Sequence, residues 1–121
     1  MWIKNLDQCP PFTANDGCEL RELIHPDHDG QAVGYSLAHC LIRPGERSMR
    51  HHLEGASELY YLLSGSGVMH IGEQAREVRA GDALLIPPGA VQFLENTGAE
   101  PIVFLAIVEP AWQPAMDLRD E

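Results

Sequence analysis

Glycine and proline cut this chain into apolar runs too short for helices, and that punctuation limits the folds open to it. Ser64-Gly65-Ser66-Gly67, Gly72-Glu73, Ala80-Gly81-Asp82, Pro87-Pro88-Gly89 and Asn96-Thr97-Gly98 each separate two β-rich segments. Glycine supplies the positive φ of tight turns and proline presets φ, so these clusters mark reversals of direction. The pattern predicts strands over 18–24, 35–42, 58–63, 68–71, 74–78, 83–86, 91–95 and 102–108, with no long amphipathic helix. Many short strands between turns argue for an all-β sandwich or barrel. Residues 25–30 read as a loop. Residues 1–17 read as an N-terminal arm, 18–108 as the barrel core and 109–121 as a C-terminal tail, whose Trp112 can pack on the barrel or on a partner.

The chain's 121 residues suit one domain, here 1–121. Its formal charge of -10 repels phosphate backbones and anionic membrane surfaces, so neither nucleic acid nor membrane is an expected partner. The longest apolar run, residues 102–108, is far too short to span a bilayer. Cys9, Cys18 and Cys40 are odd in number and lack CxxC spacing, which fits free thiols in a reducing cytoplasm. Met1-Trp2-Ile3-Lys4-Asn5 leads into polar residues, so no signal peptide is expected.

Two spaced patterns carry the chemistry. The first places His51, His52, Leu53 and Glu58 between Gly45 and Gly65; the second places Gln92 and Asn96 after Gly81 and Pro87-Pro88-Gly89. Together they resemble the two consensus motifs of the cupin superfamily over residues 34–108. Within it, the chain is similar to small single-domain proteins of the conserved-barrel type. Further matches are Ser57-Glu58-Leu59-Tyr60-Tyr61 and Ile107-Val108-Glu109-Pro110-Ala111-Trp112. The resemblance implies a double-stranded β-helix, or jelly-roll barrel. It also implies one divalent metal ion held inside by three histidines and a glutamate.

Two of those four ligand positions depart from the family pattern. Leu53 stands where a second histidine is expected, two residues after His51 and on the same face of a strand. Gln92 stands in place of the last histidine. The metal set is then His51, Glu58 and Gln92. Either His52, re-aimed by a bulge, or His39, reaching in from its own strand, can replace the lost imidazole. An amide oxygen suits hard cations better than zinc, iron or copper. An inward Glu58 is costly unless paired, which marks it as a site residue; the competing reading turns Glu58 to solvent and buries Leu59, Tyr61 and Leu63. Tyr60 shares the Glu58 face and is expected with Gln92 and His52 as a substrate-binding residue. Phe93 is expected between the sheets and His70 outside.

Three functions fit these residues. The first is a metal-dependent dioxygenase, decarboxylase or isomerase acting on a small molecule in the barrel cavity. The second is a metal-free module that binds or senses a small molecule. The third is metal-free acid/base chemistry by a His51–Glu58 pair. No nucleotide cofactor is expected, and Arg43, Arg47 and Arg50 read as a solvated rim. Unpaired strand edges and the family resemblance point to a homodimer.

Overall fold

The structure, a computed structural model, describes residues 1–121. Eleven strands form two antiparallel sheets, and the chain folds as the jelly-roll barrel that the family resemblance implied, within the all-β class that the turn pattern implied. The strands are β1 (Phe12–Thr13), β2 (Glu19–Ile24), β3 (Ser36–Ile42), β4 (His51–Leu53), β5 (Ser57–Ser64), β6 (Ser66–Ile71), β7 (Gln74–Arg79), β8 (Ala83–Ile86), β9 (Gln92–Glu95), β10 (Ile102–Glu109) and β11 (Asp117–Arg119). One sheet runs β1-β2-β3-β10-β5-β8 and the other β11-β4-β9-β6-β7.

Two expectations change. Residues 25–30 hold a single helical turn, α1 (Pro26–Asp29), with proline at its start and Gly30 closing it at φ 64°. Residues 109–121, read as a tail, contribute β11, which pairs with β4 so that Leu118 lies opposite His52. Trp112 packs beside Leu53, Ala56 and Val108 on the barrel, and its indole N–H donates to Asp117 at 2.9 Å.

Strand alternation sets what faces inward. β5 turns Glu58, Tyr60 and Leu62 in and Tyr61 and Leu63 out. β10 turns Ile102, Phe104, Ala106 and Val108 in. Leu62, Leu94, Ile102, Phe104, Ile86 and Ile42 form the buried core.

The motif residues outside the cavity are structural. Gly65, which closes the first motif at φ 85°, lies so close to the start of β10 that a Cβ there would sit 2.5 Å from the Pro101 carbonyl oxygen, a contact no side chain tolerates. Asn96, 3% exposed, donates to the carbonyls of Ile42 (2.9 Å) and Glu100 (2.8 Å) and accepts from Gly98 N–H (3.0 Å). It therefore ties the β9–β10 turn to β3 with its amide fully satisfied.

Candidate functional site

A cavity of about 230 Å³ opens between the two sheets. Its walls come from β2, β3, β5 and β10, and the segment Phe12–Asp16 covers one side. His51, Glu58 and Tyr60 line it, with Asp16, Glu22 and Asp117 as further carboxylates and no lysine or arginine.

A hydrogen-bonded chain crosses the barrel from one sheet to the other. The Tyr60 hydroxyl donates to Gln92 Oε1 at 3.0 Å, and Gln92 Nε2 donates to Glu58 Oε1 at 2.8 Å. The carboxylate oxygen accepts, so the amide orientation is set by its partners. Gln92 is 1% exposed and sits behind the wall instead of in it. Glu58 lines the cavity, and its Oε2 has no hydrogen-bond partner. Burial among apolar groups lifts the Glu58 carboxyl to about 7, against the opposing pulls of the Gln92 amide and His51. When Glu58 is protonated, Oε1 keeps the bond from Gln92 and the proton resides on Oε2.

His51 is 3% exposed and lies opposite Gln92 in the β4–β9 pair. Its Nδ1 is 2.9 Å from the Met49 carbonyl oxygen. A carbonyl only accepts, so Nδ1 carries the hydrogen and Nε2 of the neutral ring presents a lone pair. That Nε2 lies 3.9 Å from Asp16 Oδ2.

Asp16 is the site residue that sequence reasoning missed. It accepts from Cys18 N–H at 3.0 Å, and its carbonyl accepts from Met49 N–H at 2.7 Å, which pins the turn beside β4. The Asn-Asp-Gly run signalled the turn, but nothing local signalled the strand beside it.

The structure corrects the expectations for the two spare histidines. His52 points away from the cavity, on the opposite side of β4 from His51 and Leu53, with no bulge to re-aim it. Its Nδ1 is 2.8 Å from Asp120 Oδ2, and that carboxylate raises its pKa. His39 stands on the outer face of β3, opposite Leu105, and burial lowers its pKa. Phe93, expected between the sheets, lies outside, stacked on His70 at 4.0 Å with the Arg47 and Arg50 guanidinium groups 5.2 Å from its ring.

This donor set does not fit a centre of three histidines and a glutamate. Leu53 occupies one ligand position and offers no lone pair. Both polar ends of Gln92 are engaged by Tyr60 and Glu58. No three His, Cys, Asp or Glu side chains form a group able to hold a metal ion.

Together, this barrel and its polar inner strands define a small β-barrel protein with a cavity between its two sheets. The chain belongs to the cupin family: the cupin domain model matches residues 38–108. An uncharacterized protein of Methanocaldococcus jannaschii is 33% identical over 106 residues, covering 88% of this chain and 84% of that one. An oxalate-binding protein of Thermotoga maritima is 35% identical over 72 residues, 60% of each chain. Among solved structures, a predicted oxalate decarboxylase from Thermotoga maritima superposes with a TM-score of 0.79 at 24% identity, covering 90% of this chain and 99% of that one. A cupin 2 conserved barrel domain protein from Salinispora arenicola gives 0.77 at 22%, covering 96% and 92%. At these identities the structural likeness concerns the fold. No helix of this chain is long and apolar enough to cross a membrane.

Proposed function

We propose that this protein binds a small organic molecule in its barrel cavity without a metal ion, and that Glu58 and His51 exchange protons with it. One observation carries this reading. The Tyr60–Gln92–Glu58 chain engages the amide at a ligand position, while Glu58 Oε2 and His51 Nε2 stay free on one cavity. A carboxyl near pH 7 both gives and takes a proton at physiological pH. The His51 ring, held through Nδ1 by the Met49 carbonyl, presents Nε2 as the second proton-exchanging atom. Apolar walls exclude water and strengthen both interactions.

Oxalate, named for one relative, does not suit this cavity. A dianion would face carboxylates with neither lysine nor arginine in the lining to neutralise it. The competing reading is a metal-dependent dioxygenase, decarboxylase or isomerase, and it would need His51, Glu58 and Asp16 to gather around an ion. Elemental analysis of protein purified without a histidine tag and without chelator separates the two. We expect far less than one first-row metal ion per chain, together with small-molecule binding that His51→Ala weakens. Stoichiometric metal in the purified protein would establish the competing reading.

The homodimer is proposed on a different surface from the site. The outer face of the larger sheet carries a contiguous apolar patch in which Leu105 lies opposite Tyr61 and Leu59 opposite Leu85. Tyr61 is 43%, Leu63 46% and Leu85 65% exposed. Continuous exposed apolar area of this kind favours self-association. Light scattering should report a dimer that Leu85→Glu shifts to monomer; a monomer at high micromolar concentration in the unmodified protein would reject it. Three free cysteines agree with a reducing cytoplasmic location.

A further inference from the structure

The cavity is one-sided in its hydrogen-bonding chemistry. Every side-chain N–H in its lining is already engaged. Asn15 Nδ2 donates to the Asp117 carbonyl (3.3 Å) and carboxylate (3.1 Å), Trp112 Nε1 donates to Asp117 Oδ2 (2.9 Å), and His51 Nδ1 donates to Met49 (2.9 Å). Apart from the Thr13 and Ser36 hydroxyls, which can give or take a hydrogen bond, the groups left over once Glu58 is ionised are acceptors: Glu58 Oε2, Asp16 Oδ2 and His51 Nε2. Glu58 is 8% and His51 3% exposed, and neither of these two atoms has a hydrogen-bond partner. Both residues are buried while these two atoms remain open to one cavity, which suits a ligand that supplies donors.

We infer that the cavity selects a small organic cation, a primary ammonium or amidinium group carried on a short apolar or aromatic body. This rests on the proposed reading of the cavity as a metal-free ligand site. An ammonium group brings three donors and no acceptor, which complements three acceptors and no free N–H. Its charge meets Asp16 and Glu58 in a poorly solvated space, where charge-assisted hydrogen bonds are strongest. Tyr60, Phe12 and Phe104 line the same space and offer aromatic surface to a cation and its apolar body. A carboxylate ligand would lose its hydration, gain no cationic partner and face two carboxylates. The volume of about 230 Å³ lies below the roughly 300 Å³ at which drug-sized pockets begin, so the ligand is small.

Three probes of one shape and three charges test this: benzylamine, benzyl alcohol and benzoate, titrated calorimetrically into the full chain at about pH 8 and low salt, where benzylamine is a cation and Glu58 is largely ionised. Benzylamine should bind at least about tenfold more tightly than benzyl alcohol, and benzoate should not bind. Asp16→Asn keeps an oxygen for the Cys18 N–H and should cut benzylamine affinity by about tenfold and that for benzyl alcohol by far less, because only the ammonium loses a charge partner. If that variant does not fold, Glu58→Gln serves the same comparison. Equal or tighter binding of benzyl alcohol or benzoate overturns the charge selection and leaves the ligand-site reading standing. Failure of all three probes to bind at millimolar concentration overturns both.

Discussion

Glu58→Gln is expected to make the protein more stable at about pH 8, although the substitution removes a site residue. Burial lifts the Glu58 carboxyl from 4.5 to about 7, so the folded chain holds this proton where the unfolded chain has released it. Stability therefore falls as pH rises from about 4.5 through about 7, and the loss is complete above that window. A displacement from 4.5 to about 7 corresponds to about 3 kcal/mol. Glutamine keeps the shape, accepts the Gln92 N–H through its own oxygen and never ionises. Denaturant melts of both proteins check this. The difference should be near zero at about pH 4 and grow to as much as ~3 kcal/mol in favour of the variant at about pH 8. A variant less stable than the parent at the higher pH would mean that ionised Glu58 is held by its neighbours, contrary to the apolar setting described above.

The double variant Leu53→His with Gln92→His should convert the cavity into a metal centre. Leu53 is 3% exposed on the His51 face of β4, and Gln92 lies directly opposite His51. Two added imidazoles would complete the family's donor set with His51 and Glu58. Affinity for zinc, nickel or manganese should rise by about three orders of magnitude, or ~4 kcal/mol. Saturating metal, at about 100 times Kd, should then stabilise the variant by ~2.7 kcal/mol. Without metal the variant should be less stable than the parent, because Tyr60 and Glu58 lose the Gln92 amide. Calorimetric titration and melts with and without metal read both effects. Parent protein that binds metal as tightly as the variant would show that the engaged amide of Gln92 is no barrier to coordination.

These two experiments separate the functions that the sequence left open. A cavity that gains metal only when Leu53 and Gln92 are replaced is organised around proton exchange and donor recognition. Gln92 is then the residue that binds the two sheets together at the site. Its bonds to Tyr60 and Glu58 engage Oε1 and leave Oε2 without a side-chain partner.

Local periodicity determined most of the fold. Glycine and proline placed the turns, and alternation placed Glu58 and Tyr60 on one face of β5 and Gln92, Leu94 and Asn96 on one face of β9. Such signals need only residues two positions apart, so they are written in the chain itself. The same rule argued that His52 would turn away from His51, and β4 contains no bulge to defeat it. Tertiary structure alone decided what lies across the cavity. Asn15 meets Asp117 at a separation of 102 residues. A hydrogen bond from Met49 N–H to the Asp16 carbonyl brought Asp16 to His51, and pairing with β4 turned the supposed tail into β11. No local pattern encodes such contacts, because they form only when the sheets close and bury polar groups that must find partners.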